Sequence, residues 1–205
     1  MPDWYMFKKE YLSFVSSIFL VTSYLLFTSL SLINFPTSYS PMSHWLSDLG
    51  NPHLNPKGAL FYNIGIILTG IGMISFFGGL SSWTMANNKK QNVMLFLTQL
   101  FGFLGSLSVV MSAVFPINIK EVHSFLSSSL FILTGTAFGF SVAALRYYSK
   151  YPRWLLYLGI LVAAEDMFWG IIQNIYIMEW VTVALFLFYT LLLGVETKRK
   201  AIYAE

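Results

Sequence analysis

Six long apolar stretches alternate with short polar segments along this chain, at roughly 11–34, 59–82, 92–114, 122–146, 154–173 and 177–195. Most reach the ~20 residues that a helix needs to cross ~30 Å of hydrocarbon. Runs such as Val93 to Val114 lack the ten-residue alternation of a membrane β-strand. The pattern predicts an all-α fold: a polytopic bundle of six transmembrane helices, forming one transmembrane domain over residues 1–205.

The polar segments alternate in charge. Lys8, Lys9, Lys89, Lys90, Arg146, Lys150, Arg153, Lys198, Arg199 and Lys200 fall on one side of the six spans, and only Lys57 and Lys120 on the other. Basic segments stay cytoplasmic. Both termini are therefore expected inside the cell membrane, with segments 35–58, 115–121 and 174–176 outside. A five- or seven-span reading would scramble the alternation. Trp4, Tyr5, Trp83, Tyr147, Tyr148, Tyr151 and Trp154 would form an inner aromatic belt, and Tyr176 and Trp180 an outer one.

Composition agrees: 56% of the 205 residues are hydrophobic and 10% charged, and the mean hydropathy is +0.64. A soluble domain carries about 25% charged residues. There is no cysteine, which excludes disulfides, thiolate metal sites and a cysteine nucleophile. The net charge of +3 is spread over the polar segments and gives no nucleic-acid signature. Residues 11–33 are too long for a typical signal-peptide core and no small-x-small cleavage site follows, so they read as a retained first span.

Small residues suggest which spans touch. Span four carries Gly135-x-x-x-Gly139. Span three carries Gly102, Gly105 and Ser106, and span two Gly65, Gly70 and Gly72. Such residues let helix backbones approach closely, so spans two, three and four are expected to form a tight unit. A homo-oligomer contact is the alternative use. No repeat of two three-span halves is visible.

The longest outer segment contains Ser40-Pro41-Met42-Ser43-His44-Trp45-Leu46-Ser47-Asp48-Leu49-Gly50. Ser40 suits an N-cap, Pro41 the first helical position and Gly50 the residue past the end. The predicted short helix places Met42, Trp45, Leu46 and Leu49 on one face and Ser43, His44, Ser47 and Asp48 on the other. It either lies on the lipid surface with its apolar side down, or turns its polar face over a pocket. In the next outer segment, Asn118 and Glu121 have the spacing of a capping box for span four, whose first turn holds His123.

Candidate chemistry centres on Glu165-Asp166 inside span five. A carboxylate at membrane depth costs roughly 2.5–3.5 kcal/mol on insertion scales and usually faces a bundle interior. No lysine or arginine lies inside a span, away from its ends, to pair with it. Asp166, Trp169 and Gln173 recur at i, i+3, i+7 and share a face toward the outer mouth, and Glu165 points about 100° away. Glu165, Asp166, Trp169 and Gln173, with Ser47 and Asp48, are the candidate ligand-binding residues. His44, Asp48, His53 and His123 are candidate ligands for a divalent metal, the only cofactor suggested, although their spacing matches no standard metal motif.

The pieces Ser47-Asp48-Leu49-Gly50-Asn51, Phe115-Pro116 and a helix-initial His123 resemble an uncharacterised family of bacterial and archaeal integral membrane proteins, catalogued as the 998 domain-of-unknown-function family. The resemblance implies a compact helical membrane domain and no established activity. The motif order is more distantly similar to the Frag1/DRAM/Sfk1 membrane proteins.

Three functions compete. A binding or accessory membrane protein, for lipid or as a subunit of a larger complex, needs only the bundle and a partly polar cavity. A metal-dependent lipid hydrolase at the outer leaflet would use the histidine set. A proton-coupled carrier would use Glu165 and Asp166. Expected partners are membrane lipids, with other membrane subunits or a second copy of the chain as further candidates.

Overall fold

A computed structural model describes residues 9–203, and the side chains of 11–200 within them. Trp4, Tyr5, Lys8 and the Lys9 side chain, assigned above to the inner interface, lie outside the described residues. Six α-helices account for almost everything: α1 (Lys9–Ile33), α2 (Ala59–Gly79), α3 (Lys89–Val114), α4 (Lys120–Leu145), α5 (Arg153–Ile172) and α6 (Tyr176–Tyr203). Each contains a segment long and apolar enough to cross a membrane. Among the described residues there is no strand. Leu25, Leu26, Phe96, Phe125, Tyr157, Ile171 and Phe188 stand exposed around the outside. Such a surface suits hydrocarbon, so the chain is a multi-pass membrane protein.

Each helix packs on the next, and α6 returns to α1, which closes a ring. Small residues set the spacing. A Cβ on Gly72 would fall 2.7 Å from Leu20 Cβ on α1, and one on Gly102 would fall 2.3 Å from the Phe77 ring on α2. The expectation of a tight unit of spans two, three and four is thus too narrow, because the glycines of α2 serve α1 as well as α3. The Gly135-x-x-x-Gly139 pair is not one interface. A Cβ on Gly135 would lie 2.8 Å from Ala163 O on α5, whereas one on Gly139 would meet nothing within 4 Å.

The ring is filled at the end that carries the termini. Phe77, Phe138, Phe186 and Tyr189 interlock there, with Phe138 4.9 Å from Tyr189 and 5.5 Å from Phe186 between ring centroids. Trp83 and Tyr151, expected in the aromatic belt, are buried instead. The Trp83 indole N–H donates to Thr197 Oγ1 at 2.9 Å, and its ring meets Tyr151 edge-on. A buried indole needs such a partner for its N–H. Trp154 remains exposed.

The long-loop end is built differently from the prediction. The expected helix over 41–49 splits into a turn at 41–43 and a five-residue 3-10 segment, Leu46–Gly50. The cause is local competition for backbone groups. Ser40 O accepts the Ser43 and His44 N–H groups and closes the first turn. Asp48 Oδ2 then takes the Trp45 N–H at 2.9 Å, and Tyr39 Oη donates to Trp45 O at 2.8 Å, so a second helical start begins at Leu46. All five residues of this cap segment are buried, while Met42 is 71% exposed. The segment covers the bundle and does not lie on its side as an amphipathic surface helix. Its far end is pinned by Ser31 Oγ and Asn55 Nδ2, both donating to Leu49 O, and by Asn63 Nδ2 donating to Gly50 O. At α4, Ile119 takes the N-cap position with no side-chain cap bond, so the capping box from Asn118 does not form.

Candidate functional site

Between the cap segment and the aromatic plug lies a cavity with about 80 Å³ of free space. Every helix except α5 contributes to its wall. Ile66, Met73, Val109, Ala113 and Phe186 supply apolar surface; Tyr24, Thr69, Ser112 and Thr134 supply hydroxyls. Its wall runs down α4 from His123 to Thr134. Eleven residues at 1.5 Å give a depth of about 16 Å.

A second cavity of about 370 Å³ lies beside it at the long-loop end, lined by Trp45, Lys120, Ser124, Trp169, Gln173 and neighbours. This vestibule is polar where the inner cavity is apolar. Ser47, His123, Ser127 and Glu179 line both and form the neck between them.

Glu179 is the residue that sequence reasoning missed. It sits in the first turn of α6 and is 8% exposed. Its Oε2 accepts the Leu46 N–H at 2.7 Å, and the Ser47 N–H and hydroxyl reach the same carboxylate. The first N–H groups of any helix lack intrahelical acceptors, and a carboxylate from another element is a strong substitute. The available signal was an acid at the start of a span, in Met178-Glu179-Trp180. Its partner is 133 residues away in sequence.

The predicted residues part into groups. Trp169 and Gln173 do line the vestibule, as the shared face implied. Gln173 ends α5 in the left-handed region (φ 35°), and its Nε2 reaches Ser127 Oγ at 3.4 Å. Asp166 is fully buried one layer deeper, where Thr134 Oγ1 stands 3.2 Å from its Oδ2; Oδ1 has no partner. Glu165 turns to the other seam, where Thr182 Oγ1 donates to its Oε1 at 2.6 Å. The two acids therefore do not share one site. Ser47 is at the neck. Asp48 serves the Trp45 N–H, and burial raises its carboxyl above the usual value.

The histidines are not brought together. His44 stacks on Tyr39 at 5.2 Å, with its Nδ1 near Ser40 O and Ser43 Oγ. His53 is exposed on the surface. His123 holds Nδ1 3.0 Å from Phe115 O, so a ring proton is assigned there, and the ring also interacts with the Ser112 backbone. Among the described residues, no three His, Asp or Glu side chains group as a metal site. The metal set of His44, Asp48, His53 and His123 is thus not assembled, because the loop uses His44 and Asp48 for its own turns.

Fold and site together define a six-helix membrane bundle with a capped inner cavity beside a more polar vestibule. The chain belongs to the family described as protein of unknown function DUF998, whose profile matches residues 21–196. No match supports the likeness to the Frag1/DRAM/Sfk1 proteins. No curated protein and no solved structure matches the chain.

Proposed function

We propose that this protein binds a lipid-like amphiphile, with the head in the vestibule and the near end of the tail in the inner cavity, whose about 80 Å³ takes only a few methylenes. The observation that carries this reading is the shared neck: a polar chamber and an apolar one meet at Ser47, His123, Ser127 and Glu179. An amphiphile has the same division along its length. Apolar walls with a few placed polar groups are the usual composition of a ligand site. With the basic segments cytoplasmic, the vestibule faces outward and meets the outer leaflet at headgroup depth.

The test is extraction from native membranes in nanodiscs, followed by identification of bound lipid by mass spectrometry. A near-stoichiometric amphiphile is expected in the natural protein. Ala113→Leu and Val109→Phe, which fill the cavity, should each lose it while the fold persists. Lipid content equal to that of empty nanodiscs, or unchanged by both variants, would reject the reading.

One observation favours a second reading, proton-coupled transport: Asp166 contacts Thr134, and Thr134 lines the cavity. Gradient-driven uptake abolished by Asp166→Asn would support it.

A further inference from the structure

We infer that the occupant's head group is an anion, a carboxylate or a phosphate; this rests on the amphiphile reading above. The argument is an inventory of donors and acceptors in the vestibule. Lys120, His123, Ser124 and Ser127 recur at i, i+3, i+4, i+7 on α4, and all four line the vestibule. Lys120 is exposed at the rim and forms no ion pair among the described residues. Ser127 Oγ already accepts from Gln173 Nε2, which leaves its own hydrogen uncommitted. His123 lies on the same wall, with its Nδ1 held by Phe115 O.

The carboxylate on that side is engaged. Glu179, the one carboxylate lining the vestibule among the described residues, is occupied by the Leu46 N–H and by Ser47. Glu179 lines both cavities, whereas Lys120 lines only the vestibule, which leaves Lys120 as the cationic group of the α4 wall. The wall thus offers one fixed positive charge and two hydroxyl donors. An acceptor-rich head satisfies them; an ammonium head would meet Lys120 with like charge. Lys120 opens the first turn of a 26-residue helix, which places it where lipid phosphates and carboxylates lie.

The experiment measures binding to the full chain in detergent by native mass spectrometry. The probes are oleate, lysophosphatidic acid, lysophosphatidylcholine, monoolein and inorganic phosphate alone. Oleate and lysophosphatidic acid are expected to bind at least about tenfold more tightly than monoolein, the size of one charge-assisted hydrogen bond. Lys120→Gln should remove most of that preference without changing monoolein binding, and Lys120→Arg should keep it. Inorganic phosphate should neither bind measurably nor compete; competition at equal concentration would make the site one for the free anion and overturn the proposal. Equal affinity for all four amphiphiles, or a preference untouched by Lys120→Gln, would also overturn it while leaving the amphiphile reading intact. Failure of every amphiphile to bind would instead reject the amphiphile reading itself.

Discussion

Replacing Glu179 with alanine should release the cap segment from α6. The carboxylate accepts the Leu46 N–H at 2.7 Å and is also reached by the Ser47 N–H and hydroxyl. Leu46 is 1% exposed and Ser47 8%. The variant therefore strands two buried backbone donors, at about 1–3 kcal/mol each. The vestibule lets water reach them, so the lower end, about 2 kcal/mol, applies to cap closure. At 1.4 kcal/mol per tenfold, this raises the open fraction of the cap roughly 30-fold. The absence of cysteine makes the assay direct. Leu46→Cys keeps the backbone N–H and introduces the only thiol, whose labelling by a membrane-impermeant maleimide reports opening. Adding Glu179→Ala should speed labelling by about that factor, and Glu179→Gln, which keeps one acceptor oxygen, by less. Equal rates with and without Glu179→Ala would refute the assignment of Glu179 as the tie between α6 and the cap.

Three further outcomes are expected. Gly135→Ala should lower the thermal midpoint in detergent, because its Cβ would press on Ala163 O at 2.8 Å, whereas Gly139→Ala, with open space, should leave it unchanged or raise it by up to about 1 kcal/mol in stability; equal losses would restore a single G-x-x-x-G interface. Asp166→Leu should keep or raise thermal stability, since Oδ1 has no partner and Thr134 retains its own bond to Leu130 O at 2.9 Å; a loss above about 2 kcal/mol would show an unrecognised partner. For Asp48, burial raises the folded carboxyl above its ordinary 3.8 despite the Trp45 N–H. Its contribution is therefore fully present below about 3.8 and declines as pH rises through the folded value. Thermal midpoints against pH should show that decline in the natural protein, and Asp48→Asn should flatten it.

The sequence by itself determined the number and placement of the spans. A run of about twenty apolar residues is a local property, and only a helix satisfies its backbone in lipid. It also determined that Trp169 and Gln173 share a face, because helical periodicity is local. The short motifs around Ser47, Phe115 and His123 resembled the family whose profile matches residues 21–196. Only the tertiary structure decided the rest. Whether six helices close into a ring depends on which glycines meet which side chains, and Gly65, Gly72 and Gly79 turned out to face α1. The pattern through Ser40–Gly50 fitted one amphipathic helix, yet Asp48, Tyr39 and the distant Glu179 satisfied backbone groups in a way that favoured two short turns. The same capture of polar groups by distant partners kept the histidines apart, and set Glu165 against α6 but Asp166 against α4. A hydrogen-bond partner 133 residues away leaves no trace in local pattern, and the neck of the site is made of such contacts.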